Sequence, residues 1–160
     1  MEIVTRAARM TFLSREMRSR GERIAFVPTM GALHEGHLSL IRRARQASAH
    51  VVVSVFVNPT QFAPGEDFDQ YPRDLARDAD LAREAGTEIL YAPEAREVFP
   101  PGFGTHVTVE GLDSVLEGAS RPGHFRAGAT VVAKLLNRVA PHVAFFGQKD
   151  AQQAVLMKRM

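Results

Sequence analysis

Apolar positions along this chain follow two patterns that take turns. Residues 3–20 carry Ile3, Ala7, Met10, Leu13 and Met17 at helical spacing among arginines, with Gly21 as the stop. Residues 23–28 hold the run Ile24-Ala25-Phe26-Val27 before Pro28 and predict a first strand. Residues 36–48 return to the helical period, with Leu38, Ile41 and Ala44 on one side. Val51 to Val57 is a continuous, mostly β-branched run, the pattern of a strand buried on both faces of a parallel sheet. Asn58-Pro59-Thr60 breaks it, and residues 62–70 predict an acidic loop. A helix is expected from about Pro72 to Glu84, closed by Gly86. Ile89 to Ala92 and Val107 to Val109 read as short strands, and residues 111–125 as a Gly- and Ser-rich loop. Residues 126–138 present Val131, Val132, Leu135 and Leu136 as a helical face. Val143 to Phe146 predicts a last strand, and Asp150 to Met160 a last helix.

Strands alternating with helices predict an α/β fold, a Rossmann-like parallel sheet with helices on both faces. Ligands of such sheets bind outside the carboxyl ends of the strands. Three polar stretches fall there: Pro28–His37 after the first strand, Asn58–Phe62 after the second, and Gly147–Asp150 after the last.

Composition narrows the classes. At 160 residues, 45% hydrophobic and 24% charged, the chain has the make-up of one soluble domain. It has no cysteine, which excludes disulfides, Cys-ligated zinc and a thiol nucleophile. The net charge is +2, and the arginines are interspersed with acids, so no basic face for nucleic acid is expected. No apolar run reaches the ~20 residues of a membrane span. The N-terminus lacks a signal-peptide pattern, so a cytoplasmic location is expected.

The candidate chemistry starts at His34-Glu35-Gly36-His37, where a strand delivers its chain to a helix. A helix N-terminus offers unpaired N–H groups and partial positive charge to phosphate. Gly31 and Gly36 permit close backbone approach, and two imidazoles can add donors as charge builds. Surface or capping histidines are the plain alternative. Zinc is another, but a third ligand is missing nearby. Gln61 can donate and accept without adding charge, so it can match hydroxyls or a carboxylate, or it is an ordinary polar loop residue. Lys149 is a flexible ammonium suited to phosphate, and Asp150 is placed to cap the last helix. Gln153 lies three residues beyond Asp150 on the same helical face.

Pro28-Thr29-Met30-Gly31-Ala32-Leu33-His34-Glu35-Gly36-His37 resembles the H-x-G-H motif of the nucleotidyltransferase superfamily, which includes class I aminoacyl-tRNA synthetases. Four further stretches follow in the order of one family: Asn58-Pro59-Thr60-Gln61-Phe62, Tyr71-Pro72-Arg73, Arg121-Pro122-Gly123-His124-Phe125-Arg126, and Phe146 to Gln153. With them the chain resembles the pantothenate synthetase (pantoate–β-alanine ligase) family from near residue 23 to its end. The resemblance implies a nucleotidyltransferase fold and a two-step, ATP-dependent ligation. Pantoate and ATP give pantoyl-adenylate and pyrophosphate; β-alanine then gives pantothenate, a coenzyme A precursor, and AMP.

Carried residue by residue, the resemblance makes Met30, Gly31, Ala32, Leu33, His34, Glu35, Gly36 and His37 one side of the ATP site. Gly147, Gln148, Lys149 and Asp150 are the other side. His37 becomes the catalytic histidine, with His34 and Lys149 assisting, and Gln61 and Gln153 bind pantoate. Asp78 aligns with an acidic position associated with Mg²⁺; its alternative is one more solvated carboxylate in an Asp–Arg-rich helix. Arg121 and His124 either approach phosphates or hold their loop. Gln152 reads as helix surface, and Phe62 as a pocket wall.

Two departures from the family's pattern stand out. Arg126-Ala127-Gly128-Ala129-Thr130 replaces the commoner Arg-Gly-Val-Ala-Thr, and Gly128 is expected to cost the helix start under about 1 kcal/mol. The resemblance also implies a Ser-rich loop and a smaller C-terminal domain beyond Met160. Residues 1–160 are therefore expected to be the N-terminal nucleotide-binding domain, with impaired ligase activity alone and a homodimer as its assembly. Another H-x-G-H nucleotidyltransferase, or a non-catalytic ATP-binding or dimerisation fragment, stays open at this point.

Overall fold

Five parallel strands build one sheet in the computed structural model, which describes residues 1–62, 65, 66 and 68–160. They are β1 (Glu2–Val4), β2 (Ile24–Thr29), β3 (His50–Val55), β4 (Ile89–Tyr91) and β5 (Val143–Ala144), in the spatial order β1-β4-β3-β2-β5. The helices are α1 (Ala7–Ser19), α2 (Glu35–Ala47), α3 (Leu75–Glu84), α4 (Ala95–Val98), α5 (Glu117–Ser120), α6 (His124–Val139) and α7 (Ala151–Arg159). Single 3₁₀ turns lie at Pro59–Gln61 and Gln148–Asp150.

Strand alternation sorts the core into two layers. Ile24, Phe26 and Val52 point to one face, where Met10 and Met17 of α1, Leu135 and Val139 of α6, and Leu156 of α7 cover them. Ala25, Val27, Val51 and Val53 point to the other, under Ile41 and Ala44 of α2 and Ala79 and Ala82 of α3. Both faces of β3 are thus dry, as its unbroken valine run requires.

Pro28 sits inside a central strand without breaking a ladder bond. Phe26 turns its carbonyl towards β5, where Phe145 N–H donates to it at 2.9 Å. Pro28, two residues on, faces the same side, but β5 pairing has ended at Phe26↔Ala144. The missing N–H therefore has no partner to lose.

From β2 the chain runs to β3 and β4 through α2 and α3 on one face. β5 lies on the other side of β2, and its helix α7 packs on the opposite face. The order in which strands are added therefore reverses between β2 and β5, although all run parallel. That crevice, at the carboxyl ends, is the topological switch point where such sheets bind ligands.

Several expected elements are corrected. Residues 2–4 are not the start of a helix but an edge strand, with Glu2 N–H donating to Glu88 O and Ala92 N–H to Val4 O. That pairing spans nearly 90 residues, so no local period announces it. Residues 107–109 form no strand; Val107 N–H instead donates to Thr130 Oγ1 at 3.0 Å. The expected loop 111–125 contains α5 and the first two residues of α6, and α4 has no counterpart in the sequence reading. The last strand stops at Ala144 rather than Phe146. Of the loop expected at 62–70, residues 63, 64 and 67 lie outside the described residues. Gly21 and Gly86 do close α1 and α3, at φ +73° and +103°. No helix among the described residues is long and apolar enough to cross a membrane.

The placement of β1 and α1 makes a stability prediction. Met10 is fully buried, whereas Ile3 on the edge strand is 46% exposed. Met10→Ala is expected to cost about 2–5 kcal/mol and Ile3→Ala under about 1 kcal/mol, read from urea unfolding midpoints.

Candidate active site

The turn from β2 to α2 is held from beneath. Thr29 Oγ1 donates to Ser54 O at 2.7 Å and accepts from Gly31 N–H at 3.1 Å, tying the strand end to β3. Gly31 and Ala32 then take left-handed backbone, φ +84° and +51°. A Cβ on Gly31 would stand 2.9 Å from both Asp78 Oδ2 and Val55 Cγ1, so glycine is required there.

Asp78, on α3 and 1% exposed, is the anchor. Its Oδ2 accepts from Ala32 N–H at 2.9 Å and its Oδ1 from Leu33 N–H at 2.7 Å. The structure thus gives Asp78 a structural task at this turn, beside the metal role expected of it. Both oxygens are engaged by the turn, and no group of three His, Asp or Glu side chains able to hold a metal occurs among the described residues. The same bonds remove Ala32 and Leu33 amides from any ligand, and the Leu33 side chain is buried in the core. These two residues shape the turn.

His34 is the N-cap of α2, and its Nδ1 accepts from Gly36 N–H at 3.1 Å. This leaves its Nε2 as the neutral ring's donor position. A Cβ on Gly36 would lie 2.9 Å from His34 Cε1, so Gly36 keeps the histidine in place. The His34 and His37 rings stand 4.2 Å apart between centroids. Burial lowers the pKa of the half-buried His37 below the ordinary histidine value; His34 and Lys149 push the same way, and Asp78 and Asp150 oppose them. Glu35 turns outward into an ion pair with Arg42. The amides of Glu35 and His37 head α2, where the helix ladder supplies no partner.

Gly147, Gln148, Lys149 and Asp150 follow β5 across the crevice. Lys149 and Asp150 are exposed and close enough to His37 to act on its ionisation from that side. Asp150 makes no side-chain capping bond to α7, contrary to the expectation.

The third stretch is built around Asn58, which sequence reasoning missed. Its buried Oδ1 accepts from Thr60 N–H and Thr60 Oγ1, and its Nδ2 donates to Gln61 Oε1 at 3.0 Å and to Ala127 O at 3.4 Å. Asn before Pro-Thr signals a turn cap; the grip on Gln61 depends on α6 and has no local signal. Gln61 Nε2 rests against Gly128, only 3.2 Å from where a Cβ would be. Gly128, expected only to weaken a helix start, lies inside α6 and makes room for Gln61.

His124 Nδ1 lies 3.2 Å from Gln61 O, and its Nε2 lies 3.2 Å from Arg121 Nη1. Arg121 forks onto Glu66 and also reaches Glu117, so both residues hold their loop. Phe62 packs edge-on against Phe68 and Tyr71 as a wall. Gln153 is half-buried on the first turn of α7. Gln152, expected as plain helix surface, binds loop backbone instead. A separate cavity of about 400 Å³, lined by Tyr91, Phe103, Thr130 and Lys134 among others, includes none of the expected site residues.

Comparison with known proteins places this geometry. The family model described as pantoate-beta-alanine ligase matches residues 2–160. A pantothenate synthetase of Heliobacterium modesticaldum is 59% identical over the whole of this chain, which covers 57% of that protein. One from Moorella thermoacetica is 56% identical, with 100% of this chain and 56% of that protein covered. The crystal structure of pantothenate synthetase from Thermus thermophilus superposes with a TM-score of 0.92 at 50% identity, covering 99% of this chain and 56% of that one. A Francisella tularensis pantoate-beta-alanine ligase complexed with beta-gamma ATP and beta-alanine gives 0.93 at 38% identity, covering 99% and 61%. The chain spans a little over half the length of these relatives. A family model matched over nearly every residue, and relatives sharing more than half of their aligned positions, mean that the chain belongs to the pantoate–β-alanine ligase family.

Proposed function

We propose that the protein performs the ATP-dependent condensation of pantoate with β-alanine, with these residues supplying the nucleotide and acid sites. The observation that carries this is the convergence at the β2–β5 crevice of the His34–His37 pair with Lys149. A neutral, half-buried His37 facing an ammonium is placed to donate as negative charge grows on a phosphate. Support for the substrates comes from the family and from the relative described with ATP and β-alanine bound.

In the first step the pantoate carboxylate oxygen attacks the α-phosphorus of ATP and the bond to pyrophosphate breaks. The N-terminal tip of α2, His34, His37 and Lys149 take up the charge on the phosphate oxygens. Gln61, fixed by Asn58 and Gly128, offers a carboxamide to the acid's hydroxyl and carboxyl groups, and Gln153 on α7 supplies a second one. In the second step the amine of β-alanine attacks the acyl carbon, AMP leaves, and the amine's proton passes to solvent. Mg²⁺ would enter on the ATP phosphates and screen their charge. A homodimeric, cytoplasmic enzyme accompanies this proposal, as the family resemblance implies.

Pyrophosphate release that depends on pantoate tests the assignment. His37→Ala is expected to lower kcat about 10²–10³-fold, and Gln61→Ala to raise the pantoate KM more than the ATP KM. Equal release with unrelated carboxylic acids would overturn the substrate assignment. Gly128→Ala separates stability from function. Replacing helical glycine gains up to about 1 kcal/mol of propensity, offset by crowding at Gln61, while the pantoate KM rises. Thermal melts and initial rates on the same samples read both. Asp78→Asn turns an amide NH₂ towards a backbone N–H and is expected to cost about 1–3 kcal/mol. The loss should appear in thermal melts without Mg²⁺ or ATP; a melt unchanged unless Mg²⁺ is present would favour the metal role for Asp78.

A further inference from the structure

Leu116 occupies backbone that a leucine rarely adopts. Its φ and ψ are +52° and −122°, its side chain is 80% exposed, and Gly118 N–H donates to Val115 O at 3.0 Å. Val115-Leu116-Glu117-Gly118 is therefore a β-turn with left-handed φ at its first central position, where glycine is the favoured residue. The exposed leucine side chain does not compensate for that backbone. Such conformations persist only where the surroundings over-determine them.

Here the surroundings are one side chain on another element. Gln152 Nε2 donates to Val115 O at 2.8 Å and to Leu112 O at 3.0 Å, and its Oε1 accepts from Glu117 N–H at 3.1 Å. The bonds to Val115 and Glu117 bracket Leu116 on both sides. The carboxamide's two N–H groups and its oxygen are all spent on this loop. Gly118 completes the fold of the loop, because a Cβ there would meet Asp113 O at 2.3 Å.

The clamped turn leads directly into α5, then to Arg121, His124 and Gln61. Arg121 N–H donates to Glu117 O at 2.9 Å, and Arg121 and His124 connect that turn to the carbonyl of Gln61. Gln152 itself is next to Gln153 and one turn from Lys149. We propose that Gln152 is a positioning residue: it clamps the strained turn at Leu116 and so fixes the 112–124 segment as the outer wall of the acid pocket between Gln61 and α7. This deepens the proposed function and rests on Gln61 and Gln153 lining that pocket.

The test uses the protein at its natural length and reads pantoate kinetics, thermal melting and amide exchange together. Gln152→Ala is expected to raise the pantoate KM roughly tenfold while kcat changes less. Exchange at the Glu117 and Gly118 amides is expected to quicken by roughly tenfold or more. Gln152→Glu keeps the acceptor for Glu117 N–H but sets a carboxylate against two carbonyl oxygens, and is expected to match the alanine variant. Leu116→Gly removes the strain; alone it leaves the KM near wild type, and combined with Gln152→Ala it restores most of the loss. An unchanged KM in Gln152→Ala, or a raised KM that Leu116→Gly does not lower, overturns the proposal. Wild-type protein that releases pyrophosphate equally with any acid fails the substrate assignment instead; exchange rates unchanged by Gln152→Ala would then overturn the clamp itself.

Discussion

A buried carboxylate holds the site's central turn. Asp78 accepts two short bonds from consecutive amides, Ala32 and Leu33, at a point where the chain leaves β2 and has not yet entered α2. Those amides could not join a strand or helix ladder, and burying them unpaired would cost about 1–3 kcal/mol each. By pairing them, α3 pulls the turn against the sheet and sets the direction in which α2 starts. The left-handed residues Gly31 and Ala32 are then tolerable, because the bonds on either side leave them no alternative. The direction of α2 decides where His34 and His37 stand. A residue on one helix thus positions the chemistry of another.

The parts of this molecule legible from sequence are those whose signal is local. The valine run of β3, the helical stripe of α6 and the glycine stops after α1 and α3 each follow from neighbouring residues. The three polar stretches are legible too, since strand ends mark the ligand edge of a parallel sheet. What sequence hides is what long-range partners decide. β1 exists because β4 offers it a free edge, and Asp78 is a turn anchor because α3 happens to lie under Ala32 and Leu33. Gln152 resembles any exposed glutamine in a helix until the loop 35–40 residues earlier is laid against it.

Gly128 shows how local and tertiary terms compete. Helix propensity counts a mid-helix glycine as a loss of up to about 1 kcal/mol. The space it leaves is taken by the carboxamide of Gln61, whose oxygen Asn58 already holds. Asn58, which caps the 3₁₀ turn, and a missing side chain on α6 therefore hold the Gln61 carboxamide from two sides. Pre-organisation of that kind limits the side-chain freedom that substrate binding would otherwise have to remove.

The two sides of the crevice are anchored unequally, and that follows from strand length. β2 pairs with β3 over six residues, and the turn beyond it is pinned by Thr29 and Asp78. β5 pairs with β2 over only two residues, and Gly147–Asp150 beyond it is stabilised chiefly by α7 lying on α6 through Leu156 and Met157. The histidine side is a fixed surface. The Lys149 side is an exposed ammonium on a short 3₁₀ turn, a flexible point charge of the kind that suits phosphate. Under the proposed adenylation, a firmly held donor pair faces a less firmly held cation across the crevice, and that inequality has its origin in a six-residue ladder on one side of β2 and a two-residue ladder on the other.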